Sequence, residues 1–317
     1  MNKELEVFPV NIQNLYRLEG ILPFAIYVRL INGQIQRVLG PKAKLDASLV
    51  DDYIMKGLKE FYVLESDRHA LLTTLDQQVV KKQSERPIDL PTLKGLVDEL
   101  STQTLKEVYA TGNMTPAHLE QSKHVVETYV ALSLEQAGNL PVFLELAKSK
   151  GFYLRHSMMT AIFSILLART IFGEARDTLT QAGLAGLLHD VGMARLPEQI
   201  FEFDKSLSHS QMQVLTQHPA LGVDIVKNLS NIPQDVVDAI LQHHEAWDGS
   251  GYPSGLRGAD INHLARIVAV ADYFGSMITQ WGNHMALTPQ LAGLMLDRNT
   301  QLDPQLVMAF KTLLNLG

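Results

Sequence analysis

Seven side chains in the second half of the sequence have types and positions that suit metal chemistry. One histidine opens a long apolar helical segment, a His-Asp pair ends the next one, and a His-His pair ends a later one. One more histidine and one aspartate lie in two further helical segments. The seven residues are His156, His189, Asp190, His218, His243, His244 and Asp272.

Each of these residues alone has a plainer interpretation. A single core histidine is usually structural, and a buried aspartate such as Asp190 can cap the next helix. Asp272 lies inside the apolar run IVAVADYF, where a carboxylate is costly unless it is paired, hydrogen-bonded or bound to metal. Taken together, five imidazoles and two carboxylates from separate helices favour a metal centre. The chain has no cysteine, so thiolate ligands are excluded, and iron, manganese or zinc suit the remaining donors.

The segment 243–262 begins with the His243-His244 pair and is dense in glycine. Such density lets a backbone turn tightly and approach a ligand closely. Trp247, Tyr252 and Pro253 are rigid, and they indicate a loop that folds back onto its domain instead of a floppy one. The glycines are Gly249, Gly251, Gly255 and Gly258.

A run of helices must position these residues. Apolar periodicity predicts helices from about residue 140 onward, with short gaps between them except at the glycine loop. His218 falls late in one of these segments. The pattern predicts an all-α bundle. The predicted helices are 154–170, 179–196, 208–229, 235–244, 264–278 and 304–314.

The N-terminal part has a different pattern. Asn32-Gly33 is a hairpin-turn signal between two β-rich segments, 23–30 and 34–40. A helix over 46–58, with Asp46 as its N-cap, and a strand over 60–66 complete a small α+β unit. The predicted fold is therefore mainly α with a small N-terminal α+β domain.

Three segments follow from these patterns. Residues 1–75 form the α+β domain, with a regulatory or sensory role expected, and 141–317 form the helical domain. Residues 76–140 are a polar helical linker, interrupted at Pro87 and Pro91. The linker could contribute to a homodimer, and plain packing against the next domain fits the pattern equally well. A signalling-protein partner of the whole protein also stays open.

Composition narrows the classes of protein. The net charge of −7 argues against a partner of duplex DNA or RNA, which needs a basic surface, although a small phosphorylated ligand could still bind at metal ions. The sequence has no signal-peptide core and no run of about 18 apolar residues. We therefore expect a cytoplasmic protein without a membrane segment.

The segment HHEAWDGSGYPSGLRGADI (243–261) resembles the signature of the HD-GYP family, a branch of the HD metal-dependent phosphohydrolases. Shorter segments resemble further motifs of that family, in the same order. The resemblance covers about 145–317, implies an all-α HD-GYP helical bundle there, and leaves the N-terminal domain uncovered. The shorter segments are RHS (155–157), LLHDVG (187–192), HPALG (218–222) and ARIVAVAD (265–272).

The resemblance implies a centre of two divalent metal ions, iron or manganese. Asp190 would bridge the two ions. Some family members hold a third ion through a glutamate one helical turn before the first histidine, but Phe152 stands at that place, so we expect two. One ion would be held by His156, His189, Asp190 and Asp272, and the other by His218, His243 and His244 together with Asp190.

The resemblance also implies the reaction, which is hydrolysis of cyclic di-GMP to linear pGpG or GMP by metal-activated water. Asp190 is the expected catalytic residue. Arg257, the one cation of the loop, is a candidate for phosphate contact, and Tyr252 either lines the nucleotide pocket or serves packing. Glu245 and Asp248 are expected to fix the loop and the ligands. The candidate substrate contacts are Tyr252, Arg257, Gly251 and Pro253.

Three features depart from the family pattern. Met193 stands where the family has a lysine, and a thioether carries neither charge nor donor. Gly275 replaces a further aspartate. No Arg or Lys lies between Arg266 and Arg298, so the usual phosphate-binding cations are missing. The segment that would carry those cations holds Trp281, Asn283 and His284 instead, and a protonated His284 could substitute in part.

These departures leave the seven metal ligands untouched, so three functions remain open. The chain could be a phosphodiesterase for cyclic di-GMP with weakened activity. It could hydrolyse another nucleotide, or it could bind a cyclic dinucleotide or a protein partner without turnover. An active or residually active phosphodiesterase is the preferred interpretation.

Overall fold

A computed structural model describes residues 5–135, 152–197, 200, 208–279 and 285–316. The chain forms two compact units, Met1–Thr104 and Leu105–Gly317. The boundary between the units falls inside the segment predicted as a linker, so helices of that segment belong to both units. The three-part division at residues 75 and 140 stays a prediction.

The first unit is a small α+β domain. Its four-stranded antiparallel sheet has the order β1-β6-β3-β4, and β2 pairs with β5 in a separate two-stranded sheet. The strands are β1 (Val7–Asn11), β2 (Ile21–Leu22), β3 (Ile26–Arg29), β4 (Ile35–Leu39), β5 (Ala43–Lys44) and β6 (Glu60–Leu64). The helices that lie wholly within the unit are α1 (Ile12–Tyr16), α2 (Ala47–Met55) and α3 (Arg68–Ser84).

Local chemistry explains these elements. Asn32-Gly33 forms the predicted turn between β3 and β4, where Gly33 adopts a φ of 83°. The Asp46 side chain accepts from the main-chain N–H of Ser48 and so caps α2, as predicted. Strand β1 was not predicted, because its sequence VFPVN is short and contains a proline. That proline is tolerated because β1 lies at an edge of the sheet.

The second unit is helical, which confirms the predicted fold class. Helix α4 (Leu90–Thr111) crosses the boundary between the units. Two 3₁₀ turns, Val191–Arg195 and Gly258–Asp260, lie between helices. The other helices are α5 (Pro116–Glu135), α6 (Phe152–Phe172), α7 (Arg176–Leu188), α8 (His209–Leu215), α9 (His218–Val226), α10 (Gln234–Gln242), α11 (His263–Ile278), α12 (Pro289–Asp297) and α13 (Pro304–Leu314).

The prediction of one helix over 208–229 was wrong. The structure has two helices there, α8 and α9, and His218 begins the second one instead of lying late in a single helix. Pro219 explains the break, since proline has no N–H to bond to the carbonyl four residues earlier and its ring clashes with that carbonyl. Proline is favourable in the first turn of the new helix.

Helix α6 lies in the middle of the unit and packs against α5, α7, α11 and α13. Phe163 of α6, Phe274 of α11 and Phe310 of α13 pack edge to face, with ring centroids 5.1–5.6 Å apart. Gly186 lets α7 approach α6 closely, because a Cβ there would lie 2.7 Å from the Thr160 carbonyl oxygen. The close approach brings the end of α7 beside the first turns of α6. No helix in the described part of the chain has both the length and the apolarity needed to cross a bilayer.

Candidate metal centre

The structure brings the side chains of all seven predicted ligands together. They come from the ends or first turns of different elements, except Asp272, which lies in the middle of α11. His156 lies in the first turns of α6, and His218 is the first residue of α9. His189 and His243 are the residues directly after α7 and α10, each followed by its partner in the sequence.

The seven side chains form two groups. In each group one ligand atom per residue lies within 4.8 Å of the others. His156 Nε2 lies 2.9 Å from Asp272 Oδ1, and His218 Nε2 lies 3.1 Å from His243 Nε2. One group is His156, His189 and Asp272, and the other is Asp190, His218, His243 and His244.

The two oxygens of Asp190 face different groups. Oδ2 lies 3.4 Å from His189 Nε2 and 3.8 Å from His156 Nε2. Oδ1 lies 3.2 Å from His218 Nε2 and 3.8 Å from His243 Nε2. A carboxylate in this arrangement can bridge two cations, one through each oxygen, and this is the role that the family resemblance implies for Asp190.

Three of the histidines are oriented in the same way, by a hydrogen bond from Nδ1 to a main-chain carbonyl oxygen. Nδ1 of His189 lies 2.8 Å from the Gly186 carbonyl oxygen, and Nδ1 of His243 lies 2.9 Å from that of Ile240. Nδ1 of His218 likewise lies 2.8 Å from the carbonyl oxygen three residues earlier, that of Leu215. Carbonyls of this kind are free because a helix leaves its last carbonyl groups unpaired. The Leu215 carbonyl is free for the additional reason that Pro219 has no N–H.

These bonds decide which ring nitrogen faces the centre. A carbonyl oxygen only accepts, so Nδ1 carries the proton and Nε2 of the neutral ring presents a lone pair. His218 Nε2 and His243 Nε2 then direct two lone pairs at each other across 3.1 Å, which is repulsive unless a cation lies nearby. His189 Nε2 is buried and has no hydrogen-bond partner. A metal ion is the natural partner of such nitrogens, so these residues fit the implied ions.

Burial and neighbouring charges set the protonation of the histidines. Burial, reinforced by the imidazoles of His244 and His189, holds the pKa of His243 well below its usual range. Burial also lowers the pKa of His244 to about 4. Burial opposes the charged form of His189 too, but the carboxylates of Asp190 and Asp272 outweigh it and raise that pKa to about 9. Without a metal ion its Nε2 therefore carries a proton, which a bound cation would displace.

The pKa values of the two carboxylates are both lowered. Burial alone would raise the pKa of Asp190, yet the adjacent His189 and His218 hold it well below its usual range. Burial would raise the pKa of Asp272, but the hydrogen bond to His156 together with the charges of His156, His189 and His244 outweighs burial and lowers it. Ionised oxygens among imidazoles that present lone pairs are the donor set that borderline divalent cations prefer.

The glycine loop folds back onto the helical unit, as its rigid residues predict. Glu245 is buried and anchors the loop, because its two carboxylate oxygens accept the main-chain N–H groups of Ser254, at 2.6 Å, and Leu256, at 2.9 Å. The main-chain N–H of Trp247 donates to the Gln301 carbonyl at 2.7 Å. The loop is thus held at Trp247, before its first glycine, and again at Ser254 and Leu256.

The predicted substrate contacts lie in this anchored loop. Tyr252 stacks on His244, with ring centroids 4.9 Å apart, and its main-chain N–H donates to the His244 carbonyl. Gly251 packs against the backbone of the loop itself, since a Cβ there would lie 2.2 Å from the Ala246 nitrogen. Pro253 and Arg257 are exposed. A substrate role for these four residues stays a prediction.

The structure shows what surrounds two of the positions that depart from the family pattern, Met193 and Gly275. Met193 is buried and packs with Leu196 and Ile200 in an apolar cluster, so its side chain makes apolar contacts at the position where the family has a lysine. Gly275 lies on α11, with room for a Cβ 3.6 Å from Thr160 Oγ1. The positions named for the missing cations, Trp281, Asn283 and His284, lie outside the described residues.

Sequence reasoning missed Tyr109, whereas it did single out Glu245 as a residue that fixes the loop. The Tyr109 hydroxyl donates to the main-chain oxygen of Asp190 at 3.4 Å, although the two residues are far apart in sequence. No local pattern distinguishes this tyrosine from the other residues of its helix. Glu245 follows the His pair directly, and that position was the available signal for its role.

We expect Glu245→Gln to loosen the loop. The substitution replaces one accepting oxygen with an amide group that only donates, opposite a main-chain N–H that also only donates. The expected loss is about 1–3 kcal/mol of local stability, seen as faster hydrogen exchange at Ser254 and Leu256. Asp248→Asn is the matched control, because Asp248 is exposed and asparagine keeps the Oδ1 that accepts from Ser250, so we expect a change of about 0.5 kcal/mol or less. Wild-type protection in Glu245→Gln would contradict the anchoring role.

Comparisons with known proteins agree with this site. A family model described as HD domain matches residues 143–306. A cyclic di-GMP phosphodiesterase of Pseudomonas aeruginosa is 32% identical over 193 residues, which are 59% of this chain and 45% of that protein. A 3'3'-cGAMP-specific phosphodiesterase of Vibrio cholerae is 31% identical over 206 residues, which are 64% of this chain and 38% of that protein.

Among solved structures, an HDG"Y"P protein from Bdellovibrio bacteriovorus has the same fold. The TM-score is 0.70 at 20% sequence identity, and the alignment covers 98% of this chain and 100% of that one. The likeness therefore includes the N-terminal unit, which the sequence motifs do not reach.

The fold and the site define a helical bundle built around a His/Asp centre. The family model matches just over half of the chain, so the chain belongs to the HD domain family. The resemblance to the HD-GYP branch seen in the sequence is confirmed. The chain spans less than half the length of the two curated relatives described above.

Proposed function

We propose that the chain is a metal-dependent phosphodiesterase that hydrolyses cyclic di-GMP to linear pGpG or GMP. The observation that carries the proposal is the convergence of seven ligand side chains in two groups that share Asp190. The sequence similarity to cyclic di-GMP and 3'3'-cGAMP phosphodiesterases supports the same substrate class, a cyclic dinucleotide.

The donor set suits two divalent ions, with iron or manganese proposed. Asp190 would contribute one oxygen to each ion. When bound, such ions lower the pKa of a bound water and neutralise phosphate oxygens. One ion would be held by His156, His189 and Asp272, and the other by His218, His243 and His244.

The protein's own residues supply orientation and positioning. Asp190 lies between both groups of ligands and fixes their relative position. The hydrogen bonds from His189, His218 and His243 to main-chain carbonyl oxygens prevent rotation of these rings. Glu245 keeps the glycine loop in place beside His244. Tyr252, stacked on His244, is proposed to line the nucleotide pocket, and Arg257 is proposed to contact a phosphate.

The substrate contacts are weaker than the family pattern provides. Met193 is held in an apolar cluster and offers phosphate neither charge nor donor. We therefore propose a slower enzyme than relatives with a lysine at this position. The similarity to 3'3'-cGAMP-specific relatives favours one second candidate, hydrolysis of another cyclic dinucleotide by the same centre.

The test is turnover by iron- or manganese-loaded protein, with cyclic di-GMP and 3'3'-cGAMP compared and the products separated by chromatography. The proposal expects a linear dinucleotide or mononucleotide from cyclic di-GMP, at a rate that metal removal abolishes. Turnover of 3'3'-cGAMP alone would support the second candidate. Calorimetric binding of intact cyclic di-GMP without turnover under any metal would overturn the proposal in favour of a binding module.

A further inference from the structure

We propose that Tyr109 is a positioning residue that sets the geometry of the metal centre. Its hydroxyl lies between the helix that supplies His156 and the turn that supplies Asp190. The inference rests on the proposed function, because it assumes that these residues ligate metal. It goes beyond that function by assigning a role to a residue outside every motif of the family resemblance.

The first contact is with the ligand at the middle of the centre. The Tyr109 hydroxyl donates to the main-chain oxygen of Asp190 at 3.4 Å. The same oxygen accepts the main-chain N–H of Met193 at 2.9 Å, within the 3₁₀ turn. Two donors from different elements thus fix the backbone of Asp190, the residue whose side-chain oxygens face both groups of ligands.

The second contact is with helix α6. The buried Ser157 side chain lies near the Tyr109 hydroxyl, and among the described residues its Oγ makes no hydrogen bond that meets normal geometry. Ser157 directly follows His156, whose Nε2 lies 3.8 Å from Asp190 Oδ2. The phenol group is therefore bonded to the turn that supplies Asp190 and lies beside the helix that supplies His156, so displacing either element would open one half of the centre.

The aromatic ring of Tyr109 makes packing contacts that are separate from the contacts of its hydroxyl. It is partly buried and packs against the apolar cluster of Met193, Leu196 and Ile200. The end of the same helix is also held by Arg195, whose Nε donates to the Gly112 carbonyl at 2.9 Å. Because packing and this hydrogen bond remain when only the hydroxyl is removed, Tyr109→Phe separates positioning from folding.

The experiment is a titration of the metal-free full chain with Co²⁺, followed by visible absorption, which reports both occupancy and coordination geometry. The variants are Tyr109→Phe, Ser157→Ala and the double variant. We expect two Co²⁺ ions per wild-type chain. In Tyr109→Phe we expect about tenfold weaker binding of one ion and an altered spectrum, with an unchanged melting temperature.

Ser157→Ala should weaken the same ion, and the double variant should be no weaker than Tyr109→Phe alone, because both changes remove one shared contact. Tyr53→Phe, in the other compact unit, is the matched control and should bind as wild type does. Wild-type affinity and spectrum in Tyr109→Phe would overturn the inference while leaving the proposed function intact, as would a lower melting temperature with an unaltered spectrum. A wild-type chain that binds no Co²⁺ would overturn both.

Discussion

Replacing Asp190 with asparagine is expected to remove at least one bound metal ion and nearly all turnover. Asparagine keeps the shape of the side chain but has one oxygen, so it cannot accept on the side of His189 and on the side of His218 at once. Its amide group would also place a donor against lone pairs or a cation. We expect at most one ion per chain and a fall in kcat of at least about 100-fold, larger than the effect of residues outside the ligand set.

The control for this variant is Asp224→Asn. Asp224 lies on α9, the helix that begins with His218, but it faces solvent and pairs with Lys227 at 2.5 Å. Exposed pairs of this kind contribute little, so metal content and kcat should match wild type. Elemental analysis of the purified proteins and single-substrate kinetics provide the comparison. Two ions and undiminished turnover in Asp190→Asn would exclude a bridging role for this carboxylate.

Replacing Gly192 with alanine is expected to have the largest effect on stability. Gly192 lies two residues after Asp190, in the 3₁₀ turn. A Cβ there would lie 1.9 Å from the His218 carbonyl oxygen and 2.4 Å from the Gly222 nitrogen. These are backbone atoms that cannot move aside without shifting α9, so we expect a loss of about 3 kcal/mol or more in the free energy of unfolding. The shift would also withdraw His218 from Asp190.

Gly275→Ala is the matched control for this substitution. Gly275 is a buried helical glycine of the same unit, but the nearest atom to a Cβ there lies 3.6 Å away, at ordinary contact distance. Alanine is favoured over glycine inside a helix, so this variant should be neutral or more stable by up to about 1 kcal/mol. Chemical denaturation followed by circular dichroism measures both. Equal stability of Gly192→Ala and wild type would show that α9 and the turn do not depend on the close approach.

The ligand set could be predicted from the sequence because metal chemistry restricts residue types so strongly. Histidines and aspartates in or at the ends of apolar helices are conspicuous, and the glycine loop after His243-His244 added a specific motif. The strands around Asn32-Gly33 and the cap at Asp46 were predictable for a similar reason, since each depends on a few neighbouring residues. The mainly α fold followed from the helical periodicity of the second half.

The remaining features depend on contacts that sequence spacing does not encode. The two oxygens of Asp190 face different groups of ligands only because four elements pack around this residue. The break before α9 depends on Pro219, whose local effect was overlooked within an apolar helical pattern. Tyr109 reaches Asp190 only through the packing of α4 against the turn. For Asp190 and Tyr109, tertiary packing supplied information that local propensity lacks, whereas the break at Pro219 was a local signal.

The most direct measurement is an anomalous-scattering map from crystals of the full chain grown with Mn²⁺. The proposed reaction depends on bound metal ions. Such ions can bind only where imidazole lone pairs and carboxylate oxygens are directed at the same points. The account predicts two peaks on opposite sides of Asp190, one within bonding distance of His156 and the other within bonding distance of His218. A map with no peak between these residues, at Mn²⁺ concentrations that occupy other protein sites, would contradict it.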